Sequence, residues 1–302
     1  MASYRDLTMR LKADLTLFVV AVLWGSAFAA QRVAAELGSV YFFNGVRFLL
    51  AALFLAPFVG RKAAKPLQWM WMSAAGAILF VASALQQSGL VTTTAGNAGF
   101  ITAMYVVLVP FVVWAGWGER PTLTALAAVA LAVCGAYLLS TGGTFAVRPG
   151  DVVEAIAALF WALHVVVVGK YASRFNWIGF SAGQLLIGGG LNLLAGFAAE
   201  KPVFPLAMPL VAAIAYTAVF SLGLGYSLQI WGQRHTPPTD AAIILSLESV
   251  FAAAAGWLVL HEVLLPIQTL GCLVILSAVL LSQVRRWGRM DETEGGLPRG
   301  LE

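Results

Sequence analysis

The sequence predicts an all-α polytopic membrane protein whose ten transmembrane helices form two inverted repeats of five helices each. The first observation is composition: of the 302 residues, 60% are hydrophobic and only 11% are charged, whereas roughly 25% of the residues in a soluble domain are charged. The second is that the apolar residues fall into ten stretches, each close to the roughly 20 residues that a helix needs to cross a bilayer. Five of these stretches precede Asp151 and five follow it.

The predicted spans and their short connections account for nearly the whole chain, so no room is left for a separate soluble domain. We predict spans at residues 14–33, 40–59, 67–88, 98–118, 122–141, 151–172, 178–198, 208–232, 240–260 and 266–284. The resulting divisions of the chain are a cytoplasmic N-terminal segment (1–13), a first five-helix repeat (14–141), an external linker (142–150), a second five-helix repeat (151–284) and a cytoplasmic C-terminal tail (285–302).

Basic residues are distributed unequally between the two sides of the predicted spans. One side carries Arg5, Arg10, Lys12, Arg61, Lys62, Lys65, Arg120, Lys170, Arg174, Arg234, Arg285, Arg286 and Arg289. The other side carries only Arg32, Arg148 and Lys201. Because cytoplasmic loops are enriched in Lys and Arg, both termini are predicted to be cytoplasmic, with the protein in the plasma (inner) membrane. The scattered charges give no contiguous basic face, so we expect no nucleic-acid partner.

The two halves of the chain can be aligned through their conspicuous polar and aromatic residues. The alignment pairs Asp14 with Asp151, Trp24 with Trp161 and Arg47 with Gln184, then, at a slightly larger offset, Asn97 with Asp240, Tyr105 with Glu248 and Glu119 with Glu262. The change of offset requires only a few inserted residues between the second and third spans of the second half. An odd number of crossings turns the second repeat upside down relative to the first, which is an architecture of alternating-access transporters.

Two sequence motifs are similar to those of a known transporter family. Residues 21–26 read AVLWGS in span one, and residues 246–253 read SLESVFAA in span nine. Together they resemble the signatures of the EamA type of the drug/metabolite transporter superfamily, and the resemblance extends over all ten spans. Ser249 departs from the family pattern, which often has proline at this position. Within the family, chain length and aromatic content are similar to those of YddG-like amino-acid exporters.

The resemblance implies a ten-helix basket in which spans one, three, four, six, eight and nine line a central cavity, with spans five and ten packed beside it. It also implies an exporter of small amphipathic metabolites, above all amino acids with apolar or aromatic side chains. We expect this exporter to act as a monomer by alternating access, with a kink at Pro110 and flexibility at Gly223 and Gly225. The alternative is a multidrug or quaternary-cation exporter of the same fold.

A different class of function, a membrane enzyme or a lipid-binding structural protein, has little support in the sequence. An enzyme would need a paired acid and base or a cluster of metal ligands, and only Glu248 and His164 qualify weakly. The sequence has no phosphate-binding loop, zinc-protease motif or dinucleotide fingerprint. We therefore expect no enzymatic activity, cofactor or metal, and the expected partners are the lipid bilayer and a small-molecule substrate.

Glu248 is the most informative single residue, because it lies roughly 12 Å inside span nine. A charge exposed to lipid is costly, so this carboxyl should face a cavity or a partner. It could bind a substrate amine, carry protons or lock helices together. Arg47 lies roughly 10 Å inside span two, which is not among the expected lining helices. Arg47 could hold a substrate carboxylate, but because of its place in span two we expect its side chain instead to snorkel towards the interface or to bond backbone carbonyls.

Trp24 and Trp161 occupy equivalent mid-helix places in spans one and six, away from the interfaces where tryptophan usually collects. They could form an apolar, cation-tolerant wall of the cavity, or they could simply fill space. His164 follows Trp161 by one turn and could bond a substrate, the alternative being a structural histidine. The same two interpretations, ligand contact or link between helices, apply to four further polar residues in the proposed lining helices: Gln86, Tyr105, Gln229 and Ser246.

Overall fold

The computed structural model describes residues 4–37, 39–60, 65–141, 148–201, 207–261, 263 and 265–294, and over these ranges every regular element is helical. Eight helices are long and apolar enough to cross a membrane, by length and composition. Two shorter apolar helices, Leu123–Leu139 and Pro266–Leu281, occupy the remaining two predicted spans. The prediction of an all-helical polytopic membrane protein is confirmed, and the ten-span arrangement stays a prediction.

Helices of the first half begin and end at residues whose backbone chemistry suits those positions. Pro66 occupies the first turn of its helix, where the missing N–H is no loss. The Thr94 hydroxyl accepts from the Asn97 N–H at 3.2 Å and caps another helix. Gly118 ends the next one with a left-handed backbone, φ 71°. The helices are α1 (Tyr4–Glu36), α2 (Tyr41–Leu55), α3 (Pro66–Gly89), α4 (Ala95–Ala103), α5 (Tyr105–Trp117) and α6 (Leu123–Thr141).

The second half repeats this series of long apolar helices. They are α7 (Pro149–Tyr171), α8 (Trp177–Ala199), α9 (Met208–Tyr216), α10 (Gly225–Gln233), α11 (Pro238–Leu245), α12 (Glu248–Leu260) and α13 (Pro266–Glu294). A π-helical segment, Thr217–Leu224, joins α9 to α10 within one continuous span. Such segments occur frequently at functional sites, where they shift backbone N–H and C=O groups out of the regular α-helical hydrogen-bond pattern. Gly223, expected to be a point of flexibility, lies inside this segment.

The first and last helices are longer than their predicted spans. α1 begins at Tyr4 instead of residue 14, and α13 continues to Glu294 instead of residue 284. At the start of α1, the Arg10 guanidinium bonds Asp14 one turn later and also Asp240 at the start of α11, both at 3.0 Å. These bonds hold polar residues in helical conformation beyond the apolar stretch. Hydropathy alone therefore underestimates the length of α1.

Spans four and nine are broken at equivalent places. α4 and α5 are separated at Met104, and α11 and α12 are separated at residues 246–247. At both breaks the backbone makes tight hydrogen bonds between residues three apart, such as Met104 N–H to Ile101 O at 3.1 Å and Leu247 N–H to Ile244 O at 3.2 Å. Pro110, the expected kink, lies inside α5 instead. Because span nine breaks without a proline, local tightening of the backbone accounts for both interruptions.

Helix contacts connect the two halves along their lengths. α6 packs against α13, and α2 packs against α8. α3 contacts α7, while α1 contacts α12 and α10. The α6–α13 pair depends on Gly135 and Gly271, each of which lies so close to the backbone of the other helix that any side chain would clash. These contacts place α6 and α13 side by side, next to the helices that enclose the central cavity.

Some residues used in the sequence analysis lie outside the described part of the chain. Glu262, the counterpart of Glu119 in the repeat alignment, is one of them, as are the basic residues Arg61 and Lys62. The same holds for residues 142–147 of the predicted linker and 295–302 of the predicted tail.

Candidate substrate-binding cavity

A cavity of about 530 Å³, counting the space that opens to solvent, lies between the two halves. The centre of a water-sized sphere can occupy only about 40 Å³ of this space, so the cavity is narrow. Residues of α1, α2, α3, α4, α5, α7, the π-helical segment, α10 and α12 line it. Seven of the eight predicted site residues are among them: Trp24, Gln86, Tyr105, Trp161, His164, Gln229 and Glu248. Span two also contributes to the lining, which the sequence analysis did not expect.

Glu248 is the first residue of α12, immediately after the break in span nine. Its side chain faces the cavity, is only 2% exposed and has no ion-pair partner in the described part of the chain. The first turn of a helix carries partial positive charge from its free N–H groups, which favours a carboxylate there. Glu248 Oε1 is buried without a hydrogen-bond partner. The break therefore places a carboxyl with spare bonding capacity at the cavity wall.

Tyr105 takes the equivalent place in the first half, as the first residue of α5 after the break in span four. Its phenol is buried and lies close enough to Glu248 for the two groups to interact. The Tyr105 hydroxyl nevertheless has no partner with good hydrogen-bond geometry. The two interrupted spans thus bring one hydroxyl and one carboxyl together, and both remain able to bond a ligand.

The two tryptophans both face the cavity but have different surroundings. Trp24 Nε1 donates to the carbonyl of Ser221 in the π-helical segment at 3.0 Å, and its ring lies 5.2 Å from that of Tyr226. Trp161 Nε1 is buried without a partner. The two tryptophans are equivalent in the repeat alignment, so this difference in their hydrogen bonding is visible only in the structure. Trp24 is fixed by the protein, whereas Trp161 has a donor available for a ligand.

We predict that Trp24→Phe and Trp161→Phe have separable effects. The first removes a hydrogen bond worth about 0.5–1.5 kcal/mol, so it should lower the unfolding temperature. The second removes no internal hydrogen bond, so it should lower the unfolding temperature less, while the affinity for a ligand that accepts from the indole falls roughly two- to tenfold. Thermal unfolding and ligand binding of the two variants measure this difference. Equal loss of stability in both would contradict the assignment.

His164 is held by a neighbour but keeps one ring nitrogen free. Its Nε2 lies 3.0 Å from Gln184 Oε1. As an amide oxygen can only accept, Nε2 carries the proton in this arrangement and Nδ1 is an acceptor. Nδ1 is buried without a partner, and the ring stands edge-on to Tyr226 at 5.4 Å. His164 therefore combines a structural bond with a potential ligand contact.

Arg47 faces the cavity, contrary to the expectation that it snorkels or bonds backbone carbonyls. It is 3% exposed, and its Nε and Nη2 donate to Asn44 Oδ1 at 3.0 and 2.7 Å. The guanidinium carbon lies 4.7 Å from the centre of the Phe43 ring and 5.7 Å from that of Phe48. An amide and two aromatic faces can retain the cation away from the interface. No acidic residue in the described ranges forms an ion pair with it.

Ser246 is the one predicted site residue that does not line this cavity. Its hydroxyl donates to the Ile243 carbonyl at 2.7 Å, inside the tight turn that ends α11. Ser246 instead borders a smaller gap next to Ala132 and Ile275. A serine hydroxyl that bonds its own helix is satisfied locally. We therefore leave Ser246 out of the proposed site.

Several lining residues were missed by the sequence analysis. Apart from Arg47, the polar ones are Gln31, Ser83, Thr102, Ser221 and Tyr226. Helical spacing could have found some of them, because residues three, four or seven apart share a helix face. Ser83 is one turn before Gln86, and Tyr226 is one turn before Gln229.

A family model for the EamA-like transporter family matches residues 11–141 and again residues 148–283. The chain belongs to the EamA-like transporter family. The family membership that the two motifs indicated is thus confirmed, and with it a general role in membrane transport. Members of this family are transporters, which is consistent with the expectation that the chain is not an enzyme.

Individual relatives agree with EamA membership. An uncharacterized transporter of Archaeoglobus fulgidus is 35% identical over 283 residues, covering 91% of this chain and 87% of the relative. The uncharacterized inner membrane transporter YedA of Escherichia coli is 26% identical, with 88% of each chain covered. A solved crystal structure with 18% identity superposes with a TM-score of 0.76 over 91% of this chain and 98% of the other. This last likeness concerns the fold alone.

Proposed function

We propose that this EamA-like transporter exports small amphipathic metabolites, and that its substrates are amino acids with apolar or aromatic side chains. The observation that carries the proposal is the presence of one guanidinium and one carboxyl, Arg47 and Glu248, in the same aromatic-lined cavity. Neither group forms an ion pair within the described ranges. Buried charges without partners are costly in a membrane protein, and a zwitterionic ligand would supply a partner to each.

The chemistry of the lining matches the three parts of such a substrate. Arg47 presents the planar donors that suit a carboxylate. Glu248, with Tyr105 beside it, can accept from an ammonium group. Trp161 and Phe28 supply apolar surface for a side chain. This assignment supports amino acids over neutral metabolites, which would leave both charges unpaired.

A quaternary-cation exporter remains the second candidate, because aromatic faces beside a carboxyl favour cations. Trp24, Trp161 and Glu248 provide that combination. Arg47 counts against it, since a guanidinium in the same cavity repels a permanently cationic ligand. The position of Arg47 in the cavity therefore favours the amino-acid exporter over the cation exporter.

Counterflow into proteoliposomes tests the proposal. The purified full chain is reconstituted with unlabelled compound inside, and the uptake of labelled compound is measured for phenylalanine, leucine, lysine and the lipophilic cation tetraphenylphosphonium. We expect exchange of phenylalanine and leucine, and little exchange of the cation. Exchange of the cation without that of any zwitterion would instead assign the chain to the cation exporters.

We further propose that the ten spans form two inverted five-helix repeats. The family model matches each half separately. Spans four and nine break at aligned positions, before Tyr105 and Glu248. The helix contacts also correspond when the two repeats are exchanged. The pairs α6–α13 and α2–α8 are unchanged by this exchange, and the pair α3–α7 becomes the pair α10–α1. An arrangement of this kind supports rocking of the halves about a central site.

Two similar contacts join the halves at opposite ends of the cavity and support alternating access. Asp14 accepts from the Thr236 hydroxyl at 2.8 Å. Asp151 accepts from the Thr93 hydroxyl at 2.5 Å. The repeat alignment relates Asp14 to Asp151, and the offset that relates Tyr105 to Glu248 also relates Thr93 to Thr236. Each half thus contributes one aspartate and one threonine, and we propose that the two contacts open in turn.

Cross-linking tests these two contacts as gates. In a background of Cys134→Ala and Cys272→Ala, cysteines replace either Asp14 and Thr236 or Thr93 and Asp151. We expect a short cross-linker with two thiol-reactive groups to stop transport in each paired variant. A control reagent with one thiol-reactive group, which cannot join the two cysteines, should leave at least part of the transport activity. Full transport after complete cross-linking of either pair would show that this end does not need to open.

The proposed location is the inner membrane with both termini cytoplasmic. The positive-inside distribution supports the orientation, and the name of the Escherichia coli relative supports the membrane. The contact between Asp14 and Thr236 would then lie on the cytoplasmic side, and the contact between Asp151 and Thr93 on the external side. We also propose that a single chain suffices, since the cavity is enclosed by helices of one chain.

A further inference from the structure

Glu154 is a second buried carboxyl in the molecule, separate from the residues that line the substrate cavity. It lies on α7 about one turn after Asp151 and is 0% exposed. Its Oε2 accepts from the Thr102 hydroxyl at 3.3 Å. Its Oε1 is buried without a partner. No role in substrate binding accounts for a carboxyl in this position.

Among the residues that the structure describes, no cation forms an ion pair with Glu154. The charged group that acts on it is Asp151 on its own helix. From α3, the backbone at Gly89 packs against its side chain, and from α4 the neutral Thr102 bonds it. Arg32 of α1 reaches the same end, but it bonds the Leu90 and Val91 carbonyls and pairs with Glu36. From α5, α10 and α11, no ion-pair partner of Glu154 exists in the described ranges.

This environment is unfavourable for a fixed negative charge. An ionised carboxylate buried without a cation costs far more than the neutral acid, which can bond through its own proton. A carboxylate beside a second one, Asp151, is disfavoured further. Glu154 is therefore expected to gain or lose a proton whenever water reaches it. Intramembrane carboxyls with these properties form proton relays in pumps and transporters.

The position of Glu154 connects an end of the molecule with the cavity. On one side, Asp151 forms the proposed external gate with Thr93 at 2.5 Å. On the other side, Thr102 both bonds Glu154 and lines the cavity. Gly89 and Gly150 allow α3 and α7 to approach closely there, since a side chain at either glycine would clash with the other helix. Glu154 thus lies between the Asp151–Thr93 contact and Thr102 of the cavity wall.

We propose that Glu154 is a proton-binding site that couples transport to the proton gradient, an inference that rests on the proposed transport function. With the external contact open, a proton from external water binds a carboxylate oxygen of Glu154 and forms an O–H bond. The gate then closes over a neutral acid. With the opposite end open, the proton leaves past Thr102 to water in the cavity, and the carboxylate is restored. One proton moves inward and no other reactant is consumed.

Glu154 and Glu248 have different tasks in this scheme. Glu248 faces the cavity, where an ammonium group can reach it. Glu154 bonds Thr102 and is 0% exposed, so it does not itself line the cavity. Separate sites allow the substrate and the proton to be bound at different steps of the cycle.

An infrared titration tests proton binding without any substrate. The spectra of the purified full chain are recorded across a pH series, and the carbonyl stretch of protonated carboxylic acids is followed. We expect a pH-dependent band in the wild type that is absent in Glu154→Gln and present in Glu36→Gln, whose side chain is exposed at the same end. An unchanged set of bands in Glu154→Gln would overturn the proposal.

A transport measurement tests coupling. In an antiporter, substrate accumulates on the acidic side, so wild-type vesicles with an acidic lumen should accumulate labelled phenylalanine above the level reached without a pH gradient. Glu154→Gln should keep phenylalanine exchange at equal pH but lose this extra accumulation. Accumulation equal to that of the wild type would overturn the proposal. If the wild type transports no amino acid, the proposed substrate class is wrong. The infrared titration then still tests whether Glu154 binds a proton.

Thr102→Val serves as a second variant in case Glu154→Gln does not fold. It keeps the carboxyl and removes the hydroxyl that bonds it. We expect the Glu154 band to shift in frequency because it has lost this hydrogen bond. A band identical to that of the wild type would show that the titrating group is not the carboxyl beside Thr102.

Discussion

Replacing Glu248 with Gln is expected to abolish most amino-acid transport while leaving the protein folded. Glutamine keeps the size and one acceptor oxygen but loses the charge that would pair with a substrate ammonium. A hydrogen bond to a charged group contributes about 1.5–3 kcal/mol, so affinity should fall roughly 10- to 150-fold. Phenylalanine binding to the purified variant, compared with its thermal unfolding, measures both effects.

The stability of the Glu248 variant separates a binding role from a structural one. Because the carboxylate is buried and has no ion-pair partner in the described ranges, its neutralisation should leave the unfolding temperature equal or higher. Glu119→Gln is a suitable control, since that carboxylate is largely exposed and pairs with Lys170 outside the cavity. A marked loss of stability with equal loss of binding for every ligand would indicate that Glu248 only links helices.

Replacing Arg47 with Met should eliminate recognition of the substrate carboxylate. Methionine is unbranched and flexible and can fill much of the same space, but it offers no donors. We expect a loss of roughly 10- to 150-fold in phenylalanine affinity, because about 1.5–3 kcal/mol of charge-assisted bonding is removed. Removing a buried unpaired charge should meanwhile raise or preserve stability, even though Asn44 Oδ1 loses its donors.

Asn44→Ala provides the matched test of how Arg47 is positioned. It leaves the guanidinium in place but removes the acceptor that orients two of its nitrogens. Affinity for phenylalanine should fall less than in Arg47→Met, and lipophilic cations should not gain affinity. In Arg47→Met, by contrast, cation binding should increase. Unchanged phenylalanine binding in Arg47→Met would remove the guanidinium from the site.

Much of the candidate site was predictable because a polar residue in an apolar span is expected to face the protein interior or a cavity, away from lipid. Glu248, Gln229 and Gln86 had to face the interior once their spans were recognised, since lipid offers them no hydrogen bonds. The alignment of the halves then placed Trp24 and Trp161 at equivalent depths. These arguments need only hydropathy and helical periodicity, so they hold for a single sequence.

The unpredicted features depend on tertiary contacts. Arg47 points inward because Asn44 and two phenylalanine rings hold it, a local arrangement that snorkelling arguments ignore. Ser246 turns away from the cavity because span nine tightens at that residue and uses its hydroxyl. Glu154 was overlooked because it is close to the predicted start of span six, where a charged residue near the membrane surface costs little free energy. Its burial results from the close approach of α3 at Gly89, which periodicity does not reveal.

Binding of three related ligands to wild type, Glu248→Gln and Arg47→Met tests most directly whether the cavity recognises both ends of an amino acid. The ligands are phenylalanine, its methyl ester, which lacks the carboxylate, and N-acetylphenylalanine, which lacks the ammonium group. We predict that Glu248→Gln weakens phenylalanine and the ester but not the acetyl compound, and that Arg47→Met weakens phenylalanine and the acetyl compound but not the ester. Equal weakening of all three ligands by both variants would contradict recognition of the two charges.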